Sequence, residues 1–199
     1  MKSLKYSFTP TFKQRRRGLL CILLIGFIIF IWELGSTGLF DETPPLFAAA
    51  SRAMAETGNW LTPQVNGLPR FDKPPLVYWL MGIGFSIPGN NFWDPLGTWS
   101  ARLPSALSTI FLMLVLGETM MRYPQEENCF NRRTAILAAL TFAFSPLVII
   151  WGRVAVSDAL LCSTLGISLL LQWRRYANPD KEVWWLSWFF LSLAVLTKG

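Results

Sequence analysis

The chain has 199 residues, of which 52% are hydrophobic and only 15% charged, against about a quarter charged in soluble domains. Its net charge of +6 equals the surplus of the first seventeen residues, where Lys2, Lys5, Lys13, Arg15, Arg16 and Arg17 stand without an acid. That basicity is a topology signal, and a nucleic-acid footprint, which needs basic residues spread over a folded face, is excluded. Histidine is absent, and Cys21, Cys129 and Cys162 show no C-x-x-C spacing. Ser-His-Asp catalysis, imidazole or thiolate metal sites and a disulfide framework are therefore excluded within this stretch.

In chain order, residues 18–34 are apolar apart from Glu33. Trp32-Glu33-Leu34-Gly35 offers no small-residue cleavage site, so this run reads as an uncleaved membrane anchor with a cytoplasmic amino terminus. A loop over 35–102 follows, then apolar runs at 103–121, 134–151, 154–173 and 183–197. Alternating five crossings puts twelve Lys and Arg residues on the cytoplasmic side and six on the other, the bias a membrane protein should have. Ten Trp and fifteen Phe suit a bilayer and its interfaces. The expected class is an all-α, multi-pass protein of the plasma (inner) membrane, with a long first external loop.

Within that loop, Thr43 is expected to cap a helix whose first position is Pro44. Leu46, Phe47, Ala50, Ala53 and Met54 fall on one arc, with Arg52 and Glu56 together opposite, which predicts a short amphipathic helix against lipid or the bundle. Gly58-Asn59 closes it, and Pro63, Gly67 and Pro69 mark turns. Residues 76–87 are apolar but too short to span, so a second interfacial or re-entrant helix is expected there, ended by Pro88-Gly89-Asn90-Asn91.

The five-crossing topology carries Asp41, Glu42, Asp72, Lys73, Arg153, Asp158 and Lys198 to one, extracytoplasmic face. Each has an ordinary explanation. Acids at a helix amino terminus are stabilised by its dipole, long basic side chains snorkel to the interface, and Asp158 could pair with Arg153, five residues earlier. As a group they fit different chemistry. A dipole-stabilised carboxylate stays ionised, as a general base or metal ligand must. Lys73, set between Asp72 and the stiff Pro74-Pro75, is placed for a phosphate contact. Neither G-x-G-x-x-G nor a Walker pattern occurs, so no nucleotide phosphate loop is expected.

Several ordered segments carry a resemblance. Gly38-Leu39-Phe40-Asp41-Glu42, Asn59-Trp60-Leu61-Thr62-Pro63, Asn66-Gly67 and Phe71-Asp72-Lys73-Pro74-Pro75-Leu76-Val77-Tyr78-Trp79 are similar to the first external loop of the GT-C glycosyltransferases. Ser100-Ala101-Arg102-Leu103-Pro104-Ser105, Arg153-Val154-Ala155-Val156-Ser157-Asp158-Ala159 and Leu193-Ala194-Val195-Leu196-Thr197-Lys198-Gly199 continue the pattern. Within that fold the chain most resembles the ArnT-like and protein O-mannosyltransferase-like branch.

The resemblance implies a GT-C-like transmembrane helix bundle. Its implied reaction is sugar transfer from a polyprenyl-phosphate donor to a lipid, protein or glycan acceptor on the extracytoplasmic face. It implies a catalytic role for Asp41, with Glu42 and Asp158 in the same cavity, and places Lys73 near the donor phosphate. Arg153 and Lys198, on the same face, are the further candidate phosphate contacts. Some relatives hold a divalent ion near the loop acids; here Asp41 and Glu42 would supply carboxylate oxygens, suited to Mg²⁺ or Mn²⁺. Two departures stand out. Pro44-Pro45 replace a common Arg-Tyr after the acid pair, and the chain stops at Lys198-Gly199, inside a motif usually followed by proline. The expectation is an amino-terminal portion of a longer enzyme. The alternative is a non-catalytic remnant that binds carrier lipid or serves as a membrane assembly partner.

Overall fold

The computed structural model describes residues 11–123 and 131–199; Lys2, Lys5 and Cys129 lie outside them. The first apolar run forms α1 (Phe12–Gly26), prolonged by a π-helical turn over Phe27–Ile31. Its start lies upstream of residue 18 because Thr11 and Gln14 cap each other reciprocally, satisfying two end donors. Lys13, Arg15, Arg16 and Arg17 are thus helical.

In the loop, α2 (Thr43–Thr57) begins one residue before the expected position. Glu42 precedes it, and no side chain caps it. Gly58, at φ 72°, closes it as expected, since the left-handed region costs glycine nothing. Phe47, Ala50 and Met54 are buried, and they face protein: the Phe47 ring lies 5.2 Å from that of Tyr78 in α3 (Leu76–Phe85). Burying a side chain such as Phe47 is worth about 1.5–3 kcal/mol. Glu56 is exposed, but Arg52 leans over the Phe85 ring at 5.1 Å, a cation–π contact.

The helical class expected from the sequence is the one observed, with one small addition. Between α2 and α3, β1 (Gln64–Val65) pairs antiparallel with β2 (Leu68–Pro69), Val65 opposite Leu68. Asn66 and Gly67 form the two-residue turn at φ 54° and 77°, the geometry that hairpins with right-handed twist require.

After a short α4 (Asn90–Trp93) comes α5 (Thr98–Arg122), the central helix, on which α1, α3, α6, α7 and α8 all pack. The expected span over 134–151 is broken. α6 (Asn131–Ala143) and α7 (Pro146–Arg153) meet at 69° because Ser145, before proline, takes an extended conformation. α8 (Asp158–Ala177) and α9 (Trp184–Lys198) form an antiparallel pair, and residues 154–157, expected within the fourth span, precede α8. Among the described residues α5 alone is long and apolar enough to cross a bilayer unaided; α6 and α7 together pass if the bend is one crossing.

One core lies where Phe47, Tyr78, Met81, Ala155 and Leu160 meet, joining α2 and α3 to the start of α8. A second joins Ile22 and Phe30 to Ile110, Met113 and Ala139. Leu24, Ile28, Leu147, Trp184 and Trp188 are each more than half exposed. An apolar exterior of this kind fits lipid, or further helices of a longer chain.

Candidate active site

Antiparallel packing brings the amino terminus of α8 to the carboxy terminus of α9. Asp158 opens α8 and Lys198 closes α9, so each charge suits the dipole of its own helix. The Lys198 ammonium donates to Asp158 Oδ1 at 2.5 Å across forty residues of sequence. The Asp158–Arg153 pairing considered from the sequence is therefore corrected: the partner is Lys198. At 40% and 37% side-chain exposure the pair is open to solvent and contributes at most about 1 kcal/mol to stability. It can be separated cheaply when a ligand competes for either charge.

The Lys73 loop docks against the same corner. A Cβ on Gly199 would lie 3.6 Å from Pro74 Cγ, so the end of α9 abuts the residue after Lys73. Asp72 does not pair with Lys73. Arg70 takes it, Nη2 donating to Asp72 Oδ2 at 3.0 Å. Lys73 is half-buried and makes no hydrogen bond or ion pair with any described residue. Close by, the Tyr78 hydroxyl is buried beside the Arg70 guanidinium. Burial raises its pKa, only partly offset by the Arg70 charge.

Asp41 and Glu42 are both exposed. Asp41 adopts φ 74°, a conformation uncommon outside glycine, and its Oδ1 accepts from Glu42 N at 2.8 Å. Their approach is fixed by Arg102, which is buried in α5. Its Nη1 donates to Leu34 O at 2.7 Å and Thr37 Oγ1 at 3.0 Å, and Nη2 to Gly38 O at 2.6 Å. Leu39 then packs on the core that also holds Tyr78, Ala155 and Leu160. The segment leading to the acid pair, the helix that follows Lys73 and the helix that Asp158 opens thus pack on one core.

Arg153 is not drawn into the Asp158–Lys198 pair. Its guanidinium donates to the carbonyls of Ile29, Trp32 and Glu33, at 2.7, 3.0 and 3.3 Å, and closes the end of the first helix. As to a metal, no three His, Cys, Asp or Glu side chains gather among the described residues. Asp41 Oδ1 already accepts from Glu42 N, so Asp41 Oδ2 and the Glu42 carboxylate are the oxygens this pair would offer a divalent ion.

A cavity of about 240 Å³ opens beside Asp158 between α5, the α6–α7 bend and α8. Thr109, Leu147, Trp151, Cys162 and Ser163 contribute to its walls, and Asp158 is the one charged residue lining it. The corner above the apolar slot carries one carboxylate and two lysines, a net positive charge, and its polarity suits an amphiphile with an anionic head. Sequence reasoning missed the Arg102 clamp, the Arg70–Asp72 pair and this slot. The slot depends on the break at Ser145-Pro146, whose X-Pro signal was there to be read.

The family described as dolichyl-phosphate-mannose-protein mannosyltransferase matches residues 72–199. An uncharacterized protein of Aquifex aeolicus is 34% identical over 189 residues, covering 92% of this chain and 40% of its own length. The undecaprenyl phosphate-alpha-4-amino-4-deoxy-L-arabinose arabinosyl transferase of Pseudomonas aeruginosa is 28% identical over 189 residues, covering 92% of this chain and 32% of its own length. Among solved structures, ArnT from Cupriavidus metallidurans bound to undecaprenyl phosphate superposes with a TM-score of 0.76 at 25% identity, over 91% of this chain and 32% of that one. Its apo state matches equally, with TM-score 0.76. The GT-C membrane fold expected from the sequence is the fold observed. The chain spans about a third of the length of the relatives it matches.

Proposed function

Because this chain belongs to the dolichyl-phosphate-mannose-protein mannosyltransferase family, we propose that it forms the amino-terminal part of a membrane glycosyltransferase that takes its sugar from a polyprenyl-phosphate donor. The observation that carries the reading is the Asp158–Lys198 pair at the mouth of an apolar slot, with the unpaired Lys73 on the adjoining loop. A polyprenyl phosphate has that polarity, an anionic head on an apolar chain. The five apolar segments cross the inner membrane, and the site faces the side opposite the amino terminus.

In this mechanism Asp41 accepts the proton of the acceptor hydroxyl as the acceptor oxygen attacks the anomeric carbon. The bond from that carbon to the donor phosphate breaks, and its electron pair stays on the phosphate oxygen. Lys73 and Lys198 face the charge that develops there, where a cation lowers the barrier most. Asp158 holds Lys198 in place until the phosphate competes for it. Glu42 is the alternative base, and Arg153 acts by holding the end of the first helix rather than by touching phosphate.

In the complete protein, Lys73→Met should weaken binding of a polyprenyl-phosphate sugar by roughly 10–100-fold, the loss of one charge-assisted contact to phosphate. Fluorescence titration with a short-chain polyprenyl-phosphate sugar reads this directly. Unchanged donor affinity, with normal folding by circular dichroism, would remove Lys73 from the site and with it the proposed donor-binding arrangement.

A further inference from the structure

The opposite end of the bundle holds a second feature that the transfer reaction does not use. Along α8, Arg174 lies sixteen residues from Asp158, about 24 Å away at 1.5 Å per residue. There a cleft of about 560 Å³ opens between α1, α5 and α8. Its apolar lining includes Leu19, Leu23, Leu114 and Val115, and its charged lining is Arg15, Arg16, Arg122 and Arg174 against a single carboxylate, Glu118.

The charges there do not balance. Glu118 Oε1 accepts from both Arg15 and Arg122, the latter at 2.6 Å. Arg122 also reaches Glu182 at 3.3 Å, from outside the cleft. Arg174 is buried, and it donates only to neutral groups of α5, Thr119 Oγ1 at 2.7 Å and Val115 O at 3.0 Å. Arg15 Nε is buried with no partner. Arg16 makes no hydrogen bond or ion pair with any described residue. Four arginines thus face two carboxylates, Glu118 and Glu182, and the two positive charges in surplus would be balanced by an anion. From Arg15 to Leu23 the cleft runs about 12 Å along α1, and its inner walls are apolar, with Leu20 and Leu23 nearly half exposed. Inorganic phosphate would leave those walls wet.

We propose that this cleft binds an anionic phospholipid of the leaflet on the amino-terminal side, its phosphate among the arginines and one acyl chain along Leu19, Leu23 and Leu114. The site is separate from the donor site at the other end of the bundle. Its occupant would tie α1 to α5 and α8 in the leaflet that the basic amino terminus marks as cytoplasmic.

The test uses the full-length protein in detergent, titrated with phosphatidylglycerol or phosphatidylcholine and followed by native mass spectrometry. Phosphatidylglycerol should be retained over phosphatidylcholine. Arg16→Gln, at an exposed and unpartnered residue, should lower that retention about fivefold. Leu23→Trp, which fills the apolar wall without touching a charge, should lower it as well. Millimolar inorganic phosphate should leave the lipid bound. Equal retention of the two lipids, insensitivity to both variants, or displacement by inorganic phosphate would each overturn the proposal. So would an absence of phosphatidylglycerol binding to the wild-type protein, since that is the result expected if a later part of the chain fills the cleft.

Discussion

Replacing Asp41 by Asn in the complete protein should lower turnover by roughly 10²–10⁴ while leaving donor affinity close to wild type, the signature of a lost general base. Asparagine keeps the size of the side chain and can still accept the hydrogen bond that Glu42 N donates to Asp41 Oδ1 at 2.8 Å. It also tolerates the φ of 74° observed at this position. Local structure should therefore survive, and the loss should fall on the chemistry. Glu42→Gln is the companion variant. Glu42 stands just before α2 and shares the exposure of Asp41, so a larger loss there would transfer the role of base to Glu42. Single-turnover measurement with saturating donor separates the chemical step from binding. If Asp41→Asn turns over at the wild-type rate, the acid pair serves the α2 dipole and nothing more.

Arg102→Met should be the most damaging single change to the architecture of the site. The guanidinium is buried and satisfies the carbonyls of Leu34 and Gly38 and the hydroxyl of Thr37. Methionine fills a similar volume but donates nothing. Each of the three acceptors left without a donor costs about 1–3 kcal/mol, and because the segment is only partly buried the lower end applies, so a total of about 3 kcal/mol is expected. The loss should show twice: as a lower unfolding temperature and as faster proteolysis of the segment between Leu34 and Glu42. Because that segment aims Asp41, kcat should drop further than donor affinity does. Wild-type stability and an undisturbed segment in this variant would mean that Arg102 does not hold the loop.

What the sequence revealed depended on the range of the interaction. Local chemistry was legible. The Gly58 stop, the apolar arc of α2 and the failure of residues 76–87 to span all follow from residue types within a few positions of one another. Asn66-Gly67 carried an equally local hairpin signal, yet the strands on either side have two residues each, too few to show alternation. Hydropathy makes the run over 134–151 a single span because it counts apolar residues without regard to backbone geometry. The proline at 146 decides that geometry. Site residues were legible as types and as a common face. Their partners were not, because Lys198 meets Asp158 across forty positions and Arg153 meets the Ile29 carbonyl across 124. Only the packing of α8 on α9, and of α7 on the first helix, settles which charge each basic residue meets.

The central claim is that the complete protein moves sugar from a polyprenyl phosphate. Its most direct test is reconstitution of the full-length protein in liposomes with a panel of polyprenyl-phosphate sugars and, in parallel, nucleotide sugars, scoring free polyprenyl phosphate against sugar transferred. The account predicts stoichiometric release of polyprenyl phosphate with at least one donor in the panel, slowed roughly 10²–10⁴-fold by Asp41→Asn, and no turnover of nucleotide sugars. Donor binding without release of polyprenyl phosphate, or turnover that runs on a nucleotide sugar, would contradict it.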